Sequence, residues 1–192
     1  MNYKEFKSNI INLGFEEADV FEDNEKALIE AANRAIIFLN TNIEKKEIYK
    51  EYEIPSDEIR GSYRKIELEE FEDFDGISLK APKIDGQPIT NFYYEDNTLH
   101  IFSQYSGILS VCYYGKPELI PENPSDDYII KIKVQLLPIL QLLTAYYIWL
   151  DDDERKAVTY YNQYTELLQF YRFNKENNES VNTAVIEGGI NI

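Results

Sequence analysis

The sequence predicts an α+β protein: a helical bundle made from the N- and C-terminal segments, an inserted antiparallel β-sheet or small β-sandwich, and an extended C-terminal arm. Three observations carry this. Apolar residues recur at helical spacing before residue 46 and again after residue 133, the period falls to two in between, and past Phe173 the chain turns polar and rich in Asn and Gly. At 192 residues one domain is expected, spanning 1–192, with 1–46 and 134–173 as the bundle, 47–133 as the β-rich insert and 174–192 as the arm.

Phe6, Ile10 and Leu13 mark a short first helix over residues 2–13, and Gly14 supplies its usual C-terminal stop. An acidic link, Glu16 to Asp23, leads to Asn24, a capping residue for a second helix. There Leu28, Ala32, Ala35, Ile36, Leu39 and Ile43 share one stripe, with Glu25, Lys26, Glu30, Asn33 and Arg34 opposite. From residue 47 alternation takes over: Ile48, Lys50, Tyr52 and Ile54 against Tyr49, Glu51 and Glu53, up to Pro55. Further strands are expected at Tyr63–Leu68, Gly76–Lys80, Phe92–Tyr94, Leu99–Phe102 and Ile108–Tyr114. Asp85-Gly86 and Glu95-Asp96-Asn97-Thr98 provide hairpin turns between them. Gly115-Lys116-Pro117, Pro121 and Pro124 then end the strand region.

The almost continuously apolar run Val134 to Leu150 reads as a buried helix that Pro138 starts or kinks. Asp151-Asp152-Asp153-Glu154 makes a corner, because Asp caps a helix and acidic groups suit its positive end. A long last helix follows, with Ala157, Tyr161, Tyr164, Leu168 and Tyr171 on a stripe widened by Tyr160 and Leu167. Residues 174–192 are expected to be an arm that orders only on a partner.

Composition narrows the function. With 44% apolar and 28% charged residues the chain is a folded protein, and no run approaches the length of a membrane span. The charged start, Met1 to Lys7, does not read as a secretory signal, and the single Cys112 suits a reducing compartment. A formal charge of −16, from 35 acidic and 19 basic residues, opposes adhesion to nucleic-acid phosphates. The 16 tyrosines suit subunit contacts, although a coding sequence poor in G and C gives the same excess.

Catalytic clusters are not legible. His100 is the only histidine, and it and Cys112 fall on neighbouring predicted strands, but Cys112 has no cationic setting to activate it. The 151–154 run lacks the alternate spacing and glycine of a calcium loop and continues straight into Arg155-Lys156, so it reads as a capped corner. No glycine-rich phosphate loop occurs. Phe92, Tyr93, Tyr94, Tyr105, Tyr113 and Tyr114 suit a sugar-stacking platform, and core packing or subunit contact equally well. The expectation is a non-enzyme with no catalytic, cofactor-binding or metal-binding residues.

The order of parts resembles that of bacteriophage head-to-tail adaptor proteins, also called gatekeeper or tail-tubular proteins. The likeness covers about residues 24–171. It rests on Ala31-Ala32-Asn33-Arg34-Ala35-Ile36, on the strand residues Ile101 and Val111-Cys112-Tyr113-Tyr114, and above all on the closing stretch. That stretch comprises Leu136-Leu137-Pro138, Ala145 through Glu154, and Tyr160-Tyr161-Asn162-Gln163-Tyr164. The resemblance implies a virion protein made in the bacterial host cytoplasm. It implies a homo-oligomeric ring, typically a dodecamer, bound to the portal protein and to downstream tail or neck proteins, with DNA passing without specific binding and no membrane contact. The alternatives are another tail or baseplate component, or a carbohydrate- or protein-binding β-module.

Overall fold

The structure, a computed structural model, describes residues 1–13, 24–56, 61–150 and 152–187, with the backbone alone considered from 176 onward. Helices at both ends flank two antiparallel sheets, as the hydrophobic periodicities require. The chain divides into two compact units, residues 1–39 with 118–192 and residues 40–117.

In the helical unit, α1 covers Tyr3–Asn12, and the Asn2 side chain caps it by accepting from Glu5 N at 2.8 Å. Its expected stop, Gly14, and the acidic link to Asp23 lie outside the described residues. Helix α2, Glu25–Asn42, begins directly after Asn24, and Leu28, Ala32, Ala35, Ile36 and Leu39 of its predicted stripe are buried. Ile43 falls just past its end and is only half-buried. Helix α3 covers Leu137–Trp149, with a single 3₁₀ turn, Val134–Leu136, before it. Pro138 sits in the first turn of α3, where a missing N–H costs nothing, so it starts the helix and does not kink it. Leu140 and Ala145 are fully buried, and Ile139 and Leu143 almost so.

Helix α4 runs 34 residues, Glu154–Glu187. At 1.5 Å per residue it is about 51 Å long against about 20 Å for α3, so its C-terminal half outruns that partner. Ala157, Tyr164 and Leu168 are buried, whereas Tyr161 is 45% exposed although its ring meets Tyr146 and Tyr164. The arm expected from residue 174 is here a continuation of the helix to Glu187, and 188–192 lie outside the described residues. The physical reason is propagation: once a helix is nucleated each further residue adds a hydrogen bond, and no Gly or Pro occurs between Glu154 and Glu187 to stop it.

Residues 118–133 were expected with the β-rich insert, and the contacts place them with the helices. Tyr3 N donates to Tyr128 O, Ile130 N donates to Met1 O, and Ile120 and Ile130 are buried. Asn33 clamps this segment, its Nδ2 donating to Ile120 O at 2.8 Å and its Oδ1 accepting from Ile120 N at 2.7 Å. Replacing Asn33 by Leu removes both bonds and strands two peptide groups on half-buried ground, a loss of about 2–4 kcal/mol. A fall in melting temperature with faster amide exchange at Ile120 is expected. Unchanged exchange there would show that the clamp is dispensable.

Among its described residues the second unit holds eight strands: β1 Lys46–Ile54, β2 Tyr63–Glu67, β3 Phe74–Ile77, β4 Lys83–Ile84, β5 Gln87–Pro88, β6 Phe92–Glu95, β7 Thr98–Phe102 and β8 Gly107–Gly115. One sheet runs β1-β8-β4-β5 with β3 also on β8; the other runs β2-β7-β6. They share one core, to which β7 gives Leu99 and Ile101, β8 gives Leu109, Val111 and Tyr113, and the 3₁₀ turn Leu68–Glu70 gives Leu68. Both predicted turns form. Asp85-Gly86 and Asp96-Asn97 each place two successive residues at positive φ, the geometry that matches a hairpin's twist. The strand expected at Gly76–Lys80 lies earlier, because Ser78 and Leu79 leave the sheet.

Candidate functional site

Alternation along a strand assigns each side chain to the core or to the outer face, and this sorts every candidate residue. His100 on β7 faces outward between Lys65 and Tyr93, its cross-strand neighbours. It is nonetheless 4% exposed, because the Tyr93 ring stacks on it at 4.3 Å and 9°, and its Nε2 stands 3.6 Å from Glu95 Oε2. Cys112 lies on β8 opposite Tyr49, buried, on the face away from Leu109, Val111 and Tyr113. The two residues expected on neighbouring strands therefore stand on different sheets, and the nucleophile and base they were weighed as are not brought together.

The acidic corner is a helix cap. Asp153 Oδ1 accepts from Arg155 N at 3.0 Å and from Lys156 N at 3.3 Å, which satisfies two amides that open α4. Lys156 then lies over the Trp149 ring at 3.9 Å, closing the corner between the helices. Asp151 lies outside the described residues. Among the described residues no cluster of His, Cys, Asp and Glu could hold a metal ion.

The six strand aromatics divide in the same way. Phe92, Tyr94, Tyr105 and Tyr113 pack on the sheet core, whereas Tyr93 is 42% exposed and Tyr114 lies under the Lys45 ammonium. The sugar-stacking platform of six rings thus does not assemble. On the outer face an unforeseen neighbour joins Tyr93: Tyr63, 44% exposed, meets it edge to face at 5.1 Å and meets Phe102 at 5.5 Å. Only the β2–β7–β6 register brings these rings together, so spacing along the chain gave no signal for them.

Among the described residues, two of the depressions open on the β unit. The larger, about 740 Å³, is walled by Glu51, Glu53 and Asp85 with Pro55, Gly107 and Ile108. Asp85 is held there by its own hydrogen bond, Oδ1 accepting from Ile108 N at 2.9 Å. The smaller, about 450 Å³, lies between β1 and β2 with Tyr52, Ile66 and Phe71 in its lining. In it the Lys50 ammonium stands 4.6 Å from the Phe71 ring centre. Beside them on the outer face of β1, Lys80 donates to the Glu47 carboxylate and to Tyr49 Oη, and these bonds hold its ammonium charged well above the ordinary lysine range.

Burial makes Tyr52, Tyr94 and Tyr113 of this unit poor acids. Tyr94 is pushed up to about 12, first by burial and then by Cys112, and its buried hydroxyl has no hydrogen-bond partner among the described residues. Burial raises Tyr52 and Tyr113 as well, with carboxylates nearby adding to the effect. A tyrosine with its folded pKa above 10 keeps its proton while the unfolded chain loses it. Stability is therefore complete below pH 10 and falls as pH rises towards 12. Thermal melts between pH 8 and 11.5 should show this loss, and Tyr94→Phe should reduce it while leaving the pH 8 melting temperature equal or higher, since it removes an unpaired buried hydroxyl. An alkaline loss unchanged in Tyr94→Phe would refute the assignment.

No helix among the described residues is long and apolar enough to cross a membrane. Compared with known proteins, the chain matches no protein-family model and no curated sequence.

Proposed function

We propose that the chain is a structural virion protein, a non-enzymatic subunit of a homo-oligomeric ring at the head–tail junction of a bacteriophage. In that role it sits between the portal protein and downstream neck or tail proteins and gives DNA a channel without specific binding. The observation that carries the reading is the architecture. Segments on both sides of the two-sheet unit in the sequence build one helical unit, and a capped corner leads into a 34-residue helix, the order of parts that the adaptor resemblance implies.

Charge supports it. A net charge of −16 repels phosphate, so a ring of such chains lets double-stranded DNA move without sticking. The separation of His100 and Cys112 on different sheets also favours a structural role. The exposed pair Tyr63 and Tyr93 favours a second reading, a carbohydrate- or protein-binding β-module.

Immunogold labelling of intact and tail-less particles tests the proposal directly. Label at the single vertex where the tail joins is the expected result, and particles labelled elsewhere or not at all would sink it. A β-module, in contrast, would show glycan-dependent retention on a carbohydrate array that Tyr93→Ala abolishes.

A further inference from the structure

Each sheet of the β unit has an open edge beside the smaller depression, β1 on one side and β2 on the other. Antiparallel alternation shows which backbone groups those edges present. Ile108 N donates to Asp85 Oδ1 and Ile108 O accepts from Asp85 N, both on the side of β8 away from β1. Its β1 neighbour Glu53, and with it Glu51 and Tyr49 at every second position, therefore turn N–H and C=O away from β8 to the open side of β1. On the other strand, Ser62 O accepts from Ser103 N and Leu68 N donates to Asn97 O, so Tyr63, Lys65 and Glu67 turn theirs away from β7. No described strand takes up either set.

The side chains around the depression sort by sign. Lys50 and Arg64 fall on the inward positions of their strands, whereas Glu53 and Glu67 stand on the outer faces, Glu67 accepting from Thr98 Oγ1 at 2.7 Å. Glu70, the remaining carboxylate of the lining, is exposed. The Lys50 ammonium stands 4.6 Å from the Phe71 ring centre and 5.3 Å from that of Tyr52, and among the described residues no carboxylate pairs with it. Arg64 Nη2 donates to Pro55 O at 3.1 Å, which ties β2 to the end of β1. The gap is thus an apolar slot of Tyr52, Ile66 and Phe71 with cations inside it, in a chain whose net charge is −16.

We propose that the open edge of β1 binds an extended acidic segment of a partner protein by strand addition. The segment sets a carboxylate opposite Lys50 and apolar residues two places to either side, against Ile48 and Tyr52. Main-chain bonds to Tyr49, Glu51 and Glu53 supply the attraction, and Lys50 chooses the partner. An apolar strand would cover the ammonium without a counter-charge, and a basic one would set like charges side by side. Glu51 and Glu53 repel acid on the outer face, so the carboxylate belongs on the inward face alone. The pairing does not rest on the function proposed above, and vertex labelling would decide that reading separately.

Titration of the isotope-labelled full chain with blocked heptapeptides, followed by amide NMR, tests the site. The probes are Thr-Val-Thr-Glu-Thr-Val-Thr and the same peptide with Lys at its centre. The Glu peptide should shift the amides of Tyr49, Glu51 and Glu53, slow their exchange with solvent, and bind about tenfold more tightly than the Lys peptide. Methylating the backbone nitrogens of the two threonines beside its Glu should abolish binding, since those amides face β1. Lys50→Met, which keeps the length of the side chain, should erase the preference between the two peptides, and Lys50→Glu should reverse it. Equal affinity of the two peptides, binding that survives the methylation, a preference that persists in Lys50→Met, or no shift up to the solubility limit of the Glu peptide would each overturn the proposal.

Discussion

Replacing Leu140 by Asp is expected to abolish soluble expression. Leu140 is fully inaccessible in the middle of α3, among the buried side chains of Leu137, Ile139, Leu143 and Thr144. Truncation of such a side chain to Ala alone costs about 2–5 kcal/mol through lost burial and the cavity left behind. A carboxylate at the same place adds several kcal/mol, because the buried hydroxyl one turn on, that of Thr144, already donates to Leu140 O at 2.8 Å. Together these losses approach the whole stability of a typical domain, about 5–15 kcal/mol. Leu142→Asp and Leu168→Asp should act in the same direction and less severely, since both retain slight exposure. Circular dichroism of Leu140→Ala, which should still fold, provides the graded measurement. A melting temperature equal to that of the unsubstituted chain would remove α3 from the core.

Gly107→Ala should be the most damaging small substitution in the β unit. Gly107 opens β8 at φ +120°, a conformation that side chains rarely adopt, and an added Cβ would stand against the Asp85 carboxylate. Asp85 cannot move aside freely, because its Oδ1 accepts from Ile108 N and its own N donates to Ile108 O at 2.9 Å. Backbone strain of about 1–3 kcal/mol and a lost hydrogen bond of about 1 kcal/mol follow. Asp85→Ala with Gly107→Ala should recover part of the loss by clearing the clash, leaving the strain. If Gly107→Ala melts with the parent, β8 starts differently from the geometry described.

The elements that were legible in the sequence are those whose period is long compared with its noise. Helix α2 spans five turns of one stripe, and α3 has too few polar residues to be anything but buried. Turn chemistry was equally plain at Asp85-Gly86 and Asp96-Asn97, where only small polar residues and glycine accept positive φ at low cost. By contrast β4 and β5 are two residues each, no more than one cycle of alternation, so only the turn between them could be read. Residues 118–133 alternate only briefly, at Ile130 to Lys133, and they are held by Asn33 from 87 residues away and by the backbone of Met1 and Tyr3. Polarity after Phe173 pointed to an arm because composition reports the lack of a core partner, whereas helix continuation depends on the turns already formed.

Surface chemistry was less accessible. That His100 would be shielded follows from a ring two positions before Glu95 on β6 folding over it, a matter of register and not of spacing. The exposure of Phe170 and Phe173 on α4 depends on how far α3 reaches, which their spacing does not report.

One side chain has consequences for the fate of the protein at high concentration. β1 pairs only with β8 among the described strands, so no described strand lies along its other side, where Asn40 Oδ1 accepts from Lys46 N at 2.8 Å at its start and a foreign strand could add beyond it. Lys50 lies in the middle of that strand on the core side, flanked by Ile48 and Tyr52, with its ammonium over Phe71. A strand laid alongside would have to cover that charge, so growth of an amyloid-like ribbon from this edge is blocked at its centre. Lys50→Ile should therefore leave the melting temperature equal or higher while shortening the lag before thioflavin-positive fibrils appear in a concentrated solution. An unaltered lag in Lys50→Ile would assign the protection of this edge to some other feature of β1.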